Sequence, residues 1–226
     1  MIRAPQKLLA IALFSATASV SAAGFEQDNL SVGAQIGMLG YGLNAEYQFT
    51  DQFSGRAEFN TYSRTLNKTE SDVDYKFKAK LNTFGLLANY QPFNNGFHVT
   101  GGIYHNGNKL TGSGQYIGTQ NLVIGDVSYA GTELASVDTK IDFNSIAPYL
   151  GAGYKANFGA ISVGFDVGVL FQGTPDVSLT VVPTATLVGS VAALQTEVDK
   201  EIAELKDDLK DFKYLPVVKV TFSYEF

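Results

Sequence analysis

Cysteine is absent from the 226 residues, so neither a disulfide nor a thiolate metal site can staple the fold. Histidine is scarce. His98 and His105 stand seven apart on one stretch of extended pattern and so face opposite sides. No Ser-His-acid set and no cluster with metal-ligand spacing can be assembled from the pattern, and Gly151-Ala152-Gly153 lacks the helix and third glycine of a dinucleotide loop. The reading is therefore no enzyme, no metal and no cofactor, with an outer-membrane lipid-modifying activity as a remote alternative. Long hydrophobic runs are missing too. The apolar stretch Leu8–Phe14 falls far short of the roughly 20 residues a membrane helix needs. Positive charge is in the minority, with 16 Lys and Arg against 22 Asp and Glu, which argues against a nucleic-acid partner. Tryptophan is absent, so any interfacial aromatic belt must be built from the 12 Tyr and 16 Phe.

The beginning of the chain reads as an export leader. Arg3 and Lys7 precede the apolar stretch, and Val20-Ser21-Ala22 or Ser21-Ala22-Ala23 fits a small-x-small cleavage site. The expected division is a signal peptide over 1–23 and a mature domain over 24–226. Cleavage removes two bases and no acid, so the net charge moves from −6 to −8.

The last stretch organises the rest. Val218, Val220, Phe222, Tyr224 and Phe226 fall on one face of a strand, and Val217, Lys219, Thr221, Ser223 and Glu225 on the other. This looks like the closing strand of a bacterial outer-membrane barrel, with Phe222, Tyr224 and Phe226 as the signal read by the barrel-assembly machinery. Alternation recurs along the chain. Val32 to Met38 and Leu39 to Phe49 alternate in opposite phases, which predicts a turn around Met38–Gly40; a bulged single strand is the competing reading. Phe53 to about Arg64, Tyr75 to Tyr90, Phe97 to about Asn106 and Asp138 to Ala156 read as strands, with a polar loop over 65–74. Ile161 to Phe171 is the clearest of them, and only Leu170 interrupts its polar face. Between Gln172 and Leu215 the period changes: Val191, Leu194, Val198, Ile202, Leu205, Leu209 and Phe212 form one stripe of a helix over about 190–212, with Lys200 and Glu204 as an i,i+4 pair.

In hydrocarbon an unpaired backbone amide costs several kcal/mol, so spanning strands must close into a ring. The expected fold is all-β: an eight-stranded antiparallel transmembrane β-barrel with long external loops and one amphipathic helix before the last strand. Ten strands remain open if 107–137 or 176–188 adds a hairpin. The helix lies on the rim or external loops, binds a partner or a second copy, or plugs the lumen.

Ile146-Ala147-Pro148-Tyr149-Leu150-Gly151-Ala152-Gly153-Tyr154, the run Gly173–Thr180, Val198-Asp199-Lys200-Glu201-Ile202 and Lys213–Val220 are similar to stretches of the CarO-type outer-membrane proteins. The resemblance covers mainly the second half and implies a small outer-membrane barrel taking up ornithine and other basic amino acids. It carries over no binding residue.

With the polar faces turned inward, Glu46, Arg56, Glu58, Asn60, Tyr104, Tyr149, Asp166 and Lys219 line the lumen. Eight strands leave space just wide enough for side chains, so one reading is a filled, salt-bridged interior. The other is a narrow acid-biased path for small cationic solutes. Lys76, Lys78 and Lys80 share the phase of the outward residues Phe84, Leu86 and Ala88. Either a bulge turns them inward, or they stand above the hydrocarbon and meet lipopolysaccharide phosphates. Two functions follow: a passive small-solute porin of the outer membrane, or a non-conducting structural or surface-interaction barrel acting through its loops and helix.

Overall fold

The computed structural model describes residues 29–70, 73–93, 95–116, 121–185, 187 and 190–226. The expected leader over 1–23 lies outside the described residues. Eight strands close on themselves: β1 (Leu30–Gly37), β2 (Gly40–Thr50), β3 (Phe53–Glu70), β4 (Val73–Tyr90), β5 (Phe97–Asn106), β10 (Ile146–Phe158), β11 (Ile161–Phe171) and β13 (Tyr214–Glu225). Each pairs antiparallel with its neighbour in that order, and β13 returns to β1 with Ser31 opposite Glu225 and Gly37 opposite Lys219. The sheet therefore has no free edge within the ring, as a chain surrounded by hydrocarbon requires.

Alternation decides what faces where. Ile36, Tyr41, Leu43, Phe59, Phe84, Leu86, Ile103, Leu150, Phe165, Val167 and Phe222 are all exposed, while Gln35, Asn44, Arg56, Glu58, Asn60, Asn89, Thr100, Asp166 and Lys219 are buried. A water-soluble barrel would invert that pattern. No helix among the described residues is long and apolar enough to cross a membrane.

Both described ends meet at one end of the barrel, where the Phe226 amide donates to the Leu30 carbonyl at 3.1 Å. The connections at this terminal end are short, at 51–52, 91–96 and 159–160. The opposite, loop end carries a two-residue turn, Met38–Leu39, and everything else the chain inserts. Gly40 supplies the positive φ, 103°, that this turn needs. Leu39, expected among the outward residues of the second strand, instead folds over the mouth and is buried. A residue in the turn belongs to neither strand's alternation.

The expected polar loop over 65–74 is largely strand. β3 and β4 are 18 residues each and stay in register from Phe53 opposite Tyr90 to Glu70 opposite Val73. They run well past the ring, and β6 (Lys109–Tyr116), β9 (Leu134–Asp142) and β12 (Asp176–Pro183) add to the far half of β4 as a second, external sheet. These are the segments that left ten strands open; they stand beyond the ring, which stays at eight. The strand expected over Asp138–Ala156 is broken at 143–145, so β9 belongs to the external sheet and β10 to the barrel.

A short hairpin, β7 (Leu122–Ile124) with β8 (Val127–Tyr129), and the helix α1 (Val191–Asp208) cover part of one face of that sheet. Ser190 caps the helix by accepting from the Ala193 amide at 3.1 Å. Leu194 and Val198 pack with Ile124, Tyr129 and Leu134, with Leu179, Val181 and Ile202 around them. The stripe is buried only in its middle: Val191 and Phe212 remain exposed. Lys200 does not pair with Glu204 but bridges Glu197 at 2.8 Å and Asp126 at 2.9 Å, because the hairpin turn brings Asp126 alongside.

Candidate functional site in the barrel lumen

Inward residues of the ring meet across a narrow interior, and their chemistry changes along the axis. At mid-height Glu58 (1 % exposed) is the centre of a network. Its Oε2 accepts from Lys219 Nζ at 2.6 Å and lies 3.3 Å from Arg56 Nε. Its Oε1 accepts from the Tyr104 hydroxyl and from Asn60 Nδ2, the latter at 3.2 Å. Arg56 also reaches Asp166, with Nη2 at 3.3 Å from Oδ1, and the same oxygen faces His98 Nε2 at 3.0 Å. Two cations and two carboxylates from β3, β11 and β13 thus neutralise each other out of water. Taking charges out of water is expensive, and only this mutual pairing with extra hydrogen bonds makes the burial tolerable.

Polar contacts extend from this centre in both directions. Gln35 donates to Asn60 at 2.6 Å and accepts from Asn44 at 3.0 Å. Towards the terminal end, Thr100 donates to Asn89, Asn89 to Ser54, and Ser54 to Glu46 at 2.7 Å. Towards the loop end the interior turns apolar: Leu39, Leu87, Tyr104, Ala147, Tyr149, Leu170 and Val217 form one packed cluster. The Tyr104 and Tyr149 rings meet edge to face, 5.5 Å between centres. Above them Gln172 Nε2 donates to the Phe212 carbonyl at 2.9 Å.

The space left over follows the same order. A vestibule of about 720 Å³ opens at the terminal end, bordered by Ser31, Glu46, Gln48, Gln91, Lys155 and Glu225. Lys155 pairs there with Glu225 at 2.8 Å. Further in, the gap between Arg56, His98, Ser162, Asp166 and Thr221 is about 20 Å³, room for about one water. Beyond that gap lie the ion-pair network and then the apolar cluster.

Arg56, Glu58, Asn60, Tyr104, Asp166 and Lys219 are therefore brought into one connected set, Glu46 sits at the vestibule, and Tyr149 belongs to the apolar cluster instead. Sequence reasoning did not assign His98 to the lumen and did not find the apolar plug. Leu170, the one large apolar residue on the inward face of β11, and Val217, two before Lys219, are the signals that point to the plug. Lys76, Lys78 and Lys80 are exposed and keep the outward phase, since no bulge interrupts the β3–β4 register; the inward-turning reading is excluded.

The fold is shared with two crystal structures from Acinetobacter baumannii. The chain aligns with CarO2 at 22 % identity and a TM-score of 0.58, over 87 % of this chain and 98 % of that one. With CarO the values are 21 % and 0.57, over 87 % and 97 %. The architecture is thus the CarO-type barrel fold. No profile of a known protein family matches the sequence. No curated protein matches it either.

Proposed function

We propose that this chain is an outer-membrane barrel that is closed to free diffusion and acts at the cell surface through its external sheet and helix. One observation carries the reading: the 720 Å³ vestibule ends at a gap of about 20 Å³ against Arg56, His98 and Asp166. The purified protein in a planar bilayer is expected to give no steady conductance steps. A reproducible open level in the unmodified protein overturns this reading. Export fits the same picture, and the amino terminus of the mature protein should be Ala23 or Gly24.

A second reading, gated passage of basic amino acids such as ornithine, is favoured by the vestibule's charge. Among the described residues, Glu46, Asp51 and Glu225 line it against one cation, Lys155. For that reading the Arg56–Glu58–Asp166–Lys219 network is the gate. Liposome uptake of ornithine above empty vesicles, raised by Lys219→Ala, favours the gate; uptake equal to empty vesicles in both leaves the closed barrel.

Lipid contact completes the proposal. Lys80 precedes Phe84 by four residues on the outward phase, so the row Lys76, Lys78 and Lys80 continues directly from the apolar belt, the level at which lipopolysaccharide phosphates would meet it. Replacing all three with Gln should abolish any acceleration of refolding by lipopolysaccharide over neutral lipid. Acceleration retained in full removes these lysines from the contact.

A further inference from the structure

Above the ring, the inward phase of β3 and β4 turns mostly apolar, Arg64 aside. Tyr62, Leu66, Phe77 and Ala79 continue the side on which Asn60 and Thr83 sit lower down, with Leu66 opposite Phe77 and Arg64 opposite Ala79. Leu110 on β6 and Val137 and Ile141 on β9 extend the same surface. On β12 that face is covered, since Leu179 and Val181 lie under α1 and the hairpin. Over β3, β4 and β6 neither α1 nor the hairpin packs on it among the described residues, and Leu66 and Phe77 are each 52 % exposed. The result is a trough of about 480 Å³, bounded on the helix side by Leu122. That volume is within the range of small-molecule sites, and a contiguous apolar patch facing water marks a place where something binds.

Charge selects the occupant. Acids outnumber bases along the chain, yet among the described residues lining the trough there is no Asp or Glu. Arg64 stands in its wall, exposed, and makes no ion pair or hydrogen bond among the described residues. A guanidinium holds a carboxylate with two parallel hydrogen bonds, and the half-exposed apolar side chains beside it accept a flexible hydrocarbon tail. We infer that the external trough binds a long-chain carboxylate, such as a fatty acid, with its head on Arg64 and its chain along Leu66, Phe77, Leu110 and Ile141. The inference stands apart from the state of the lumen.

A fluorescent sixteen-carbon carboxylate titrated onto the protein in nanodiscs tests it, with empty discs subtracted. Arg64→Gln should weaken the carboxylate about tenfold, the scale of losing a hydrogen bond to a charged group, while leaving the corresponding long-chain alcohol unchanged. Gly112→Leu tests the chain site separately. The nearest atoms to a Cβ at Gly112 are side-chain atoms, the Phe77 ring at 3.4 Å and Thr139 at 3.9 Å, so the substitution enters the trough with its Cβ in ordinary contact. It should abolish binding of both probes, with the gel-mobility change between boiled and unboiled protein retained as the check of folding. Equal binding by wild type and both variants overturns the proposal. So does loss of a dimer in the discs on Gly112→Leu without saturable binding of either probe, which assigns the trough to a second copy.

Discussion

β3 and β4 pass through two interiors of opposite character without a break in register. In the ring their inward phase is Arg56, Glu58, Asn60 and Thr83, and their outward phase is Phe59, Phe84 and Leu86. Beyond the mouth the inward phase becomes Leu66 and Phe77, and the outward phase Lys76, Lys78 and Lys80. The backbone solution is the same in both halves; the surroundings differ. Where hydrocarbon lies outside, polar groups must go in and find partners there. Where water lies outside, the ordinary hydrophobic arrangement returns, with α1 supplying the other layer. The two halves therefore draw their stability from different sources, and substitutions should tell them apart.

The largest effect belongs to the ring. Glu58→Ala strands Lys219 and Arg56 in a buried site and should cost about 3–5 kcal/mol in reversible urea unfolding from lipid vesicles. Glu58→Gln combined with Lys219→Met should recover much of that loss, because the pair is then removed together. A loss below about 1 kcal/mol for Glu58→Ala would mean that water reaches the network freely.

Next comes the lipid face. Phe165 is 50 % exposed on the outward side of β11, opposite Tyr154 and Val220. Phe165→Arg should destabilise by about 2–4 kcal/mol in the same assay if its depth is near the midplane. The external half predicts a smaller, local change. Leu194→Ala, at a site 3 % exposed between α1 and the hairpin, should cost about 2 kcal/mol. It should show as faster amide exchange confined to α1, β7 and β8, with the boiled-to-unboiled mobility change of the barrel intact. Exchange rising throughout the ring would show that the two halves unfold as one.

How much of this the sequence carried depends on which half is considered. In the ring, alternation over Ile161–Phe171 and Val217–Phe226 determines facing directly, because the membrane demands the same answer at every strand. The plug was not legible: Leu39 sits in a turn, and Leu87 and Val217 interrupt polar faces singly, so no period reveals that they converge. The external half resisted for a different reason. Its strands are polar on the outward side and partly bare on the other, so 65–74 reads as loop and β9 merges with β10. Only pairing with β4, a long-range event, makes these segments strands. The helix was legible by period but its seat was not, since Leu179 and Val181 on β12 carry no mark of what covers them.

The smallest expected effect is a pH response confined to the external half. At the β7–β8 turn the Asp126 amide donates to Glu197 at 2.9 Å and the Gly125 amide to Glu201 at 3.2 Å, clamping the hairpin to α1. Lys200 bonds to Glu197 and to Asp126 from the solvent side. The hydrogen bond from Lys200, and then that from the Asp126 amide, hold the Glu197 carboxyl below its ordinary 4.5. A carboxyl with a depressed value stabilises the fold above the unfolded value and loses that contribution as pH falls through the folded one. The hairpin should accordingly loosen only below about pH 4.5. Limited proteolysis within 121–130 should accelerate there while the barrel stays intact. Glu197→Gln cannot lose a proton, so its hairpin should be cut at a raised rate at neutral pH with a flatter acid response. An acid response unchanged in that variant would move the sensitivity elsewhere on the external sheet, with Asp142 the next carboxyl to replace. Burial pushes the Asp142 carboxyl up, but the hydrogen bond from Lys140 and the charge of Lys109 outweigh it and hold it low.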